Sequence, residues 1–376
     1  MRLNCRISEW EVNKLTQKLN VGIIGTGMAF EKLHLPAFRE LADCYKIVAL
    51  SDTDLEKAYY WADELGLDER DIYEDFRKMI RRWDIDLFDI MVPIPLNYFV
   101  SEEVARGIAG SGKGIICEKP AAANLKDALA HRELPERYDV PIMIAENYRY
   151  NDETNMIKEM IKEEKIGEIH YFVHNRILDF EDGITGNKFP AKEWRQYPEY
   201  PGGAVLDSGV HDLAALRHIF GPIDRLQAFG KPLEAPYSPY SVVTVNILFK
   251  NGIPGLFSFF CAGREAQVPF IGTRIFGSKG MIYLENRDCG TINIAYNDGS
   301  SEQVPYAPQR GYHNELLNYY NHKFLEQPLF VTPEMGYGDT KTVLDILRSI
   351  SEEKIVYVDE GPAVKGKVRD KEKVFL

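Results

Sequence analysis

The sequence predicts an α/β protein with two halves, each built around its own sheet. Between residues 19 and 146, short apolar strands alternate with helix-like segments, which is the pattern of βαβ units in a parallel sheet. From residue 241 onward, strands with period-two alternation and turn signals such as Asn251-Gly252 predict a large, mostly antiparallel open sheet. The length of 376 residues allows two domains. We therefore expect an N-terminal domain over 1–146, with an extension over 1–19, and a C-terminal α/β domain over 147–376.

The first half is predicted to contain parallel strands with helices between them. Each predicted strand is a short apolar run, as expected for strands that are buried on both faces. The strands are predicted at 21–25, 46–50, 87–92, 115–117 and 142–145. Two of the intervening helices are predicted at 55–65 and 99–109.

The second half is predicted to be a sheet covered on one face by helices. Its strands are predicted at 241–249, 256–261, 273–276, 281–285 and 291–296. Helices that begin near Asn151 and Asp207 are expected to cover the sheet. Two more helices are predicted at 312–326 and 339–351, and the basic, polar tail at 365–373 is predicted to be mobile.

The composition argues against several classes of function. The formal net charge of −12 does not suit general binding of nucleic acids or anionic membranes, which need basic surfaces. No apolar run approaches the ~20 residues that span a bilayer, and residues 1–20 lack a signal-peptide apolar block. The five scattered cysteines predict reduced thiols, a cytoplasmic protein and no metal site of the zinc-knuckle type.

A glycine turn follows the first predicted strand and precedes a helix. It reads Gly25-Thr26-Gly27-Met28-Ala29-Phe30. In a dinucleotide-binding turn the first glycine permits the tight turn, the second lets the backbone approach the pyrophosphate, and the helix N-terminus supplies N–H groups. Phe30 breaks the pattern, because a small residue usually stands there. The alternative is an ordinary strand-to-helix turn.

Asp52 comes just after the second predicted strand. An acidic side chain there accepts hydrogen bonds from an adenosine ribose and repels a 2′-phosphate, which favours NAD over NADP. The alternative is that Asp52 only caps the helix that starts near Leu55, and Asp54 competes with it for either role.

Cys117-Glu118-Lys119-Pro120 ends a parallel strand at its carboxyl edge, where ligands bind in open α/β sheets. A lysine at this edge can donate to a substrate oxygen and stabilise developing negative charge. Pro120 is expected to bias Lys119 toward an extended conformation. The alternative is an ordinary surface lysine.

Asp207 and His211 stand four residues apart, beyond the glycine pair at 202–203. If a helix begins near Leu206, this spacing stacks the carboxylate and the imidazole on one face. A carboxylate beside an imidazole is a common way to build a general base. The alternative is a pair on a surface helix.

Further candidates lie between these motifs. Trp194-Arg195 could pack against a cofactor ring and bind an anionic group, or could anchor a loop. Residues 147–150, Asn-Tyr-Arg-Tyr, cross from the first half to the second and are expected to line a cleft. Six other histidines are predicted to be satisfied surface or core residues rather than ligands: His34, His131, His170, His174, His218 and His322.

Taken in order, these segments resemble the glucose–fructose oxidoreductase / inositol dehydrogenase / MocA (Gfo/Idh/MocA) family of NAD(P)-dependent oxidoreductases. The matching residues are Gly25-x-Gly27, His34-Leu35-Pro36-Ala37, Asp52, Glu118-Lys119-Pro120, Asn147-Tyr148-Arg149, Trp194-Arg195 and Gly202-Gly203-x-x-x-Asp207-x-x-x-His211. Besides Phe30, segment 93–98 departs from the family pattern because it lacks the histidine often found there. The loop beside the nicotinamide is therefore expected to differ.

The resemblance implies an N-terminal Rossmann domain, a C-terminal open-sheet domain and a homodimer or homotetramer built through that sheet. It implies Lys119, Asp207 and His211 as the catalytic set, and NAD, with NADP possible, as the cofactor. Cofactor contacts are expected from Gly25, Thr26, Gly27, Met28, Ala29, Asp52, Val92, Pro93, Asn97, Glu118, Lys119, Asn147, Trp194 and Arg195. Substrate contacts are expected from Lys119, Arg149, Asp207, His211 and His313.

The resulting hypothesis is reversible oxidation of a secondary hydroxyl on a sugar, sugar derivative or cyclitol. His211 would take the hydroxyl proton as general base, Asp207 would orient the imidazole or bind a neighbouring hydroxyl, and Lys119 would hydrogen-bond the reacting oxygen. Two alternatives are a non-catalytic NAD(P)-binding sugar sensor or regulator and an NAD-dependent glycosidase of the same family. Arg264, Arg274, Arg310 and His313 could bind an anionic handle or be ordinary surface charges.

Overall fold

The computed structural model describes residues 17–180, 193–233, 235–263, 267 and 271–361. Within these residues the predicted α/β class is confirmed, because a six-stranded parallel sheet is followed by a nine-stranded, mostly antiparallel sheet. The predicted mobile tail at 365–373 and Arg264 lie outside the described residues. In the part of the chain that is described, no helix combines the length and the apolar character needed to cross a bilayer.

The first sheet contains six strands: β1 (Leu19–Ile24), β2 (Tyr45–Ser51), β3 (Ile72–Tyr73), β4 (Leu87–Ile90), β5 (Gly114–Glu118) and β6 (Ile142–Ala145). Their order is β3-β2-β1-β4-β5-β6, and every neighbouring pair is parallel. The helices of this half are α1 (Leu35–Glu40), α2 (Leu55–Leu65), α3 (Phe76–Met79), α4 (Asn97–Gly107) and α5 (Leu125–Tyr138). Helix 55–65 and strand 142–145 match their predictions residue for residue.

The glycine turn occupies the point where the strand order reverses beside β1. Ligands bind at this point in open α/β sheets. Gly25 has φ of +94°, and a Cβ there would lie 2.2 Å from the carbonyl oxygen of Met91, which follows β4. Both the backbone conformation and the close approach therefore require glycine.

The second sheet contains nine strands: β7 (Ile169–Ile177), β8 (Ile223–Lys231), β9 (Val242–Phe249), β10 (Pro254–Phe260), β11 (Gly272–Gly277), β12 (Gly280–Leu284), β13 (Thr291–Tyr296), β14 (Ser301–Pro305) and β15 (Val356–Tyr357). Their order is β14-β13-β12-β11-β7-β10-β9-β8-β15. β7 and β10 are parallel, and the other neighbours are antiparallel. The sequence analysis missed β3, β7, β8, β14 and β15.

The helices of the second half are α6 (Asn147–Tyr150), α7 (Asp152–Lys162), α8 (Glu193–Gln196), α9 (Val210–Phe220), α10 (Gly311–Leu325) and α11 (Pro333–Glu352). Helices α7 and α9 cover one face of the second sheet, as predicted, together with α11, whereas α10 packs on the core of the first half. Buried sheet residues such as Phe172, Val245 and Phe257 form one core with Leu213 and Leu216 of α9. The opposite face exposes Tyr171, Phe229 and Leu256.

Two helix starts differ from the predictions. The segment around Asp207 is first a π-helical turn, Val205–Gly209, and only then continues as α9. Helix α11 begins at Pro333, before the predicted start at residue 339. The two glycines at 336 and 338 lie inside the helix and do not precede it. A Cβ on Gly336 would approach Ile144 of β6 to 3.0 Å, so the missing side chain permits close packing. The domain boundary at residue 146 stays a prediction.

Candidate active site

A cavity of about 1040 Å³ lies between the carboxyl edge of the parallel sheet and the second half of the molecule. Most of the predicted cofactor and catalytic residues line it: Gly25, Gly27, Met28, Ala29, Asp52, Val92, Pro93, Glu118, Lys119, Asn147, Trp194, Arg195, Asp207, His211 and His313. The cavity therefore brings together residues that are up to about 290 positions apart in the chain. We call it the cleft.

The glycine turn leaves room for a bound group. A Cβ on Gly27 would meet no atom within 4 Å, so the backbone is open toward the cleft. Residues 28 and 29 are already helical, and the π-turn Phe30–His34 continues them into α1. Phe30 is fully buried and packs edge-on against Trp61, with ring centroids 5.5 Å apart. The large side chain of Phe30, which departs from the usual small residue, is thus accommodated in the hydrophobic core. The glycine turn itself fits a dinucleotide phosphate.

Asp54, and not Asp52, caps α2 by accepting from the backbone N–H of Lys57. Asp52 Oδ2 accepts hydrogen bonds from the backbone N–H of Thr26 at 2.7 Å and from Thr26 Oγ1 at 2.8 Å, and Asp52 Oδ1 accepts from the backbone N–H of Asp54 at 2.9 Å. Asp52 therefore ties the end of β2 to the glycine turn and lines the cleft, and its contact with a ribose stays a prediction.

Lys119 and Asp207 are joined, and Arg195 completes the group. Lys119 Nζ donates to the carbonyl oxygen of Asp207 at 2.9 Å and lies 3.4 Å from its Oδ1. Arg195 Nε donates to Asp207 Oδ2 at 2.8 Å, and its guanidinium stacks over Trp194 at 4.2 Å. Burial alone would raise the pKa of Asp207, but the charges of Arg195 and Lys119 lower that pKa well below its usual range. Asp207 is therefore an ionised carboxylate.

The partner of the His211 imidazole is Glu146, which the sequence analysis did not single out. Nδ1 of His211 lies 2.7 Å from Glu146 Oε1. The sequence left Asp207 two roles, orienting the imidazole or binding a substrate hydroxyl. The contact at Nδ1 is made by Glu146, and the turn that carries Asp207 is π-helical and not α-helical. Tyr148 packs flat on the imidazole, with ring centroids 4.4 Å apart and an interplanar angle of 25°. Glu146 follows β6 directly, so its place at the carboxyl edge of a strand was the available signal.

Three buried polar residues, Glu118, His34 and Asp89, form a hydrogen-bonded chain that supports the backbone at Lys119. Glu118 Oε2 accepts from the backbone N–H of Lys119 at 3.0 Å, and Glu118 Oε1 faces His34 Nε2 at 3.0 Å. His34 Nδ1 faces Asp89 Oδ2 at 2.8 Å. A neutral imidazole has one N–H, so two facing carboxyl groups require an additional proton in this triad. Burial lowers the pKa of His34, but Asp89 and Glu118 outweigh it and raise that pKa.

Asn97 supports the same loop and does not face a cofactor. Its side-chain amide donates to the carbonyl oxygens of Glu118 at 2.9 Å and Pro120 at 2.8 Å, and Asn97 is fully buried. The predicted cofactor contact by Asn97 is therefore replaced by a supporting contact. The peptide bond between Lys119 and Pro120 is cis.

Arg149 is not a substrate contact in this structure. It is buried and makes a bidentate ion pair with Asp339, with Nε 3.0 Å from Oδ2 and Nη2 2.5 Å from Oδ1. Two other arginines with open roles also have protein partners. Arg310 pairs with Glu40 at the rim of the cleft, and Arg274 pairs with Glu285 on the sheet.

Two cleft arginines were missed by the sequence analysis. Arg176 lies on β7 and Arg287 lies in the 3₁₀ turn that follows β12. Both line the cleft, and the guanidinium of Arg287 lies 3.5 Å from the ring centre of Tyr148. Neither residue stands in a recognisable motif, so no local signal marked them.

Metal ions were not expected in the site. Over the ranges that the structure describes, no group of three or more His, Cys, Asp or Glu side chains is arranged to hold a metal ion. Asp207 in the cleft pairs with Lys119 and Arg195, and the buried Glu146 pairs with the imidazole of His211.

Comparisons with known proteins match both halves of the chain. Residues 19–146 match the model of an oxidoreductase family with an NAD-binding Rossmann fold, and residues 154–283 match the GFO/IDH/MocA C-terminal domain. An uncharacterized protein of Saccharomyces cerevisiae is 30% identical over 272 residues, which are 72% of this chain and 75% of that protein. The levoglucosan dehydrogenase of Pseudarthrobacter phenanthrenivorans is 26% identical over 375 aligned residues, which cover 89% of this chain and 90% of that enzyme. A crystal structure of an oxidoreductase from Thermotoga maritima superimposes with a TM-score of 0.79 at 25% identity, covering 91% of this chain and 99% of that one.

Proposed function

The chain belongs to the Gfo/Idh/MocA family of NAD-binding oxidoreductases, and from this premise we propose that it oxidises a secondary hydroxyl of a sugar, sugar derivative or cyclitol. The observation that carries the proposal is the imidazole of His211, which is paired with the buried Glu146 at 2.7 Å and lines the same cleft as the glycine turn and the Lys119–Asp207 group. The levoglucosan dehydrogenase relative, named for a sugar derivative, supports the substrate class. NAD, when bound, accepts the hydride from the substrate carbon.

His211 is proposed as the general base. If Nδ1 carries the ring proton and donates a hydrogen bond to Glu146, Nε2 has a free lone pair. Nε2 can then accept the hydroxyl proton of the substrate. The positive charge that then develops on the imidazole is stabilised by the Glu146 carboxylate and by the face of Tyr148. Glu146 thus takes the orienting role that the sequence suggested for Asp207.

Lys119 is proposed to stabilise the reacting oxygen. An ammonium group has three donors, and the contacts with Asp207 direct two of them. The third can donate to the substrate oxygen as it gains negative charge. Asp207 holds Lys119 and Arg195 in place, and its carboxylate can also accept a neighbouring substrate hydroxyl.

The cofactor contacts are proposed along the glycine turn and the mouth of β4. The N–H groups at the start of the helix after Gly27 would bind the pyrophosphate, and Asp52 would accept from the ribose. Val92, Pro93 and Trp194 would contact the nicotinamide side of the cofactor. Because Asp52 would repel a 2′-phosphate, NAD is preferred over NADP.

We also propose that two or four copies associate through the open face of the second sheet, and that the protein works in the cytoplasm. Tyr171 and Phe276 stack on that face, with ring centroids 4.4 Å apart, and Leu256 and Phe229 are exposed on other strands of the same sheet. Exposed large apolar side chains on one sheet face are typical of an interface.

Substitution of His211 tests the function directly. We expect wild-type protein to produce NADH, measured at 340 nm, with members of a panel of aldoses, inositols and sugar acids. His211→Ala should lower kcat by ~10²–10⁴ because the general base is lost. The conservative variant Glu146→Gln keeps the hydrogen bond but not the charge, so it should retain part of the rate.

An unchanged kcat in His211→Ala would remove this residue from the mechanism. Lys323→Gln is a suitable control, because Lys323 lies far from the cleft and binds the carbonyl oxygen of Gly112. If NAD binds but no panel member is oxidised, the sensor becomes the better explanation.

A further inference from the structure

Two arginines, Arg176 and Arg287, line the cleft, and the proposed mechanism does not use them. The side chains of Arg176 and Arg287 are 20% and 17% exposed. A guanidinium removed this far from water needs close partners, because burying an unpaired charge is costly. The partners that the protein supplies therefore show whether these arginines are structural.

Both arginines share a single buried aspartate, Asp212, at long distances. Arg176 Nε lies 3.6 Å from Asp212 Oδ2, and Arg287 Nη2 lies 3.5 Å from Asp212 Oδ1. Charge-assisted hydrogen bonds are typically about 2.7–2.9 Å long. Arg176 Nε is buried without a hydrogen-bond partner among the described residues. The protein leaves this pair of guanidinium groups incompletely satisfied.

The carboxylates that face the two arginines also have other partners or only long contacts. Asp212 Oδ1 lies 3.1 Å from His174 Nε2, so the same carboxylate faces a third partner. Arg287 Nη1 lies 3.3 Å from Glu153 Oε1. Burial raises the pKa of Glu153, against the opposite effect of Arg287. Asp288, which also lines the cleft, is a further negative charge near Arg176. The ionic contacts of the two arginines with Asp212 and Glu153 are nevertheless all 3.3 Å or longer, so N–H donors remain for a bound anion.

The arginine pair lies next to the proposed general base. The Tyr148 ring has the guanidinium of Arg287 3.5 Å from its centre and also stacks on the His211 ring at 4.4 Å. Arg176 Nη2 also lies 3.4 Å from the Tyr148 hydroxyl. Tyr148 therefore joins the arginines to the site where the hydroxyl proton would be removed.

We propose that the substrate carries an acidic group, a carboxylate or a phosphate, that binds Arg176 and Arg287 while the reacting hydroxyl lies at His211. The inference rests on the proposed function and adds a substrate class to it: sugar acids or sugar phosphates. The planar, multiply donating guanidinium is suited to both anions.

Calorimetry with matched ligands tests the inference without requiring turnover. The protein, saturated with NADH, is titrated with D-glucose, D-glucuronate and D-glucose 6-phosphate. We expect at least one acidic ligand to bind about tenfold more tightly than glucose, as one charge-assisted hydrogen bond allows. The more tightly bound of the two acids identifies the carboxylate or the phosphate as the recognised group. Equal affinities, or no detectable binding of either acid, would overturn the inference.

Two variants assign the effect to the arginines. Arg287→Gln and Arg176→Gln should each weaken binding of the acidic ligand about 10- to 100-fold and leave glucose unaffected. Arg274→Gln is the matched control, because Arg274 pairs with Glu285 outside the cleft. Equal weakening of glucose would show that the arginines only support Tyr148, and would overturn the proposal.

The two proposals fail in different ways. Tight binding of an acidic ligand without NADH production from any panel member would contradict the proposed dehydrogenase activity alone. Oxidation of neutral sugars with no preference for the acidic ones in binding would contradict the acidic substrate class alone.

Discussion

Two buried aspartates of this protein each hold two arginines, and they do so differently. Asp339 binds Arg149 through two hydrogen bonds of 3.0 and 2.5 Å and accepts from Arg217 Nε at 2.8 Å. Asp212 meets Arg176 and Arg287 only at 3.6 and 3.5 Å. Each cluster is centred on one aspartate and two arginines, and the two differ in the length of the contacts and in position.

The position explains the geometry. The Asp339 cluster is buried between α11, which carries Asp339, and the helices α6 and α9, which carry Arg149 and Arg217; Arg217 also pairs with Glu360. The Asp212 cluster lies at the wall of the cleft, where Arg176 and Arg287 are exposed to a ligand. In the closed Asp339 cluster the guanidinium N–H groups are hydrogen-bonded to groups of the protein. In the open Asp212 cluster the longer contacts leave N–H donors for a bound ligand. Sequence alone made Arg149 a binding candidate, whereas the structure closes Arg149 in the Asp339 cluster, and we propose the binding role for Arg176 and Arg287.

Breaking the closed cluster should have the largest effect on stability. In Asp339→Asn the two buried guanidinium groups lose their shared anion, and removing one partner of a buried ion pair typically costs about 3–5 kcal/mol. We expect a clear drop in the urea concentration at the unfolding midpoint. The kcat of the protein that remains folded should be unchanged. A midpoint equal to that of wild type would contradict the distinction between the clusters.

The pH dependence of stability should show a smaller contribution from the open cluster. Burial alone would raise the pKa of Asp212, but Arg176, His174 and Arg287 lower it well below its usual range. A lowered folded-state pKa contributes stability above the unfolded pKa of ~3.9, and this contribution is lost as the pH falls toward the folded value. Between pH 4 and pH 3, wild type should lose about 1 kcal/mol more than Asp212→Asn. Parallel losses in urea titrations at both pH values would contradict this.

The smallest effect is expected from Arg287→Gln on stability. Its two ionic contacts are long, and its guanidinium is partly exposed to the cleft. We therefore expect a change in unfolding free energy below about 1 kcal/mol, as for partly exposed ion pairs. Arg217→Gln provides the matched comparison in the closed cluster. Similar losses in both variants, measured by urea unfolding, would mean that the cleft arginine is as structural as the buried one.

The elements that were predicted well are those with a strong local pattern. Helix α2 and strands β6 and β13 agree with their predictions at both ends, because each combines a clear apolar period with an unambiguous turn. Strand β8 was missed, since Asp224, Arg225 and Lys231 obscure its alternation. The start of α11 was missed because glycines inside a helix resemble its end.

The candidate site was predicted in part for a similar reason. Lys119, Asp207 and His211 stand in motifs, and the structure brings all three to one cleft. Glu146, Arg176 and Arg287 act through contacts between distant segments, which no local pattern records. The turn that carries Asp207 is π-helical, and the partner of His211 Nδ1 is Glu146 from another segment; the spacing of four residues could reveal neither.

Helix α11 is shared by both halves of the molecule. Met335 near its start packs against the core of the first half, whereas Val343 and Ile346 belong to the core of the second. The same helix contacts α5 and β6 on one side and β8, β15 and α9 on the other. Neither half can lose its structure without exposing an apolar stripe of this helix to water. The two cores therefore share one helix, and unfolding of either core would remove packing from the other.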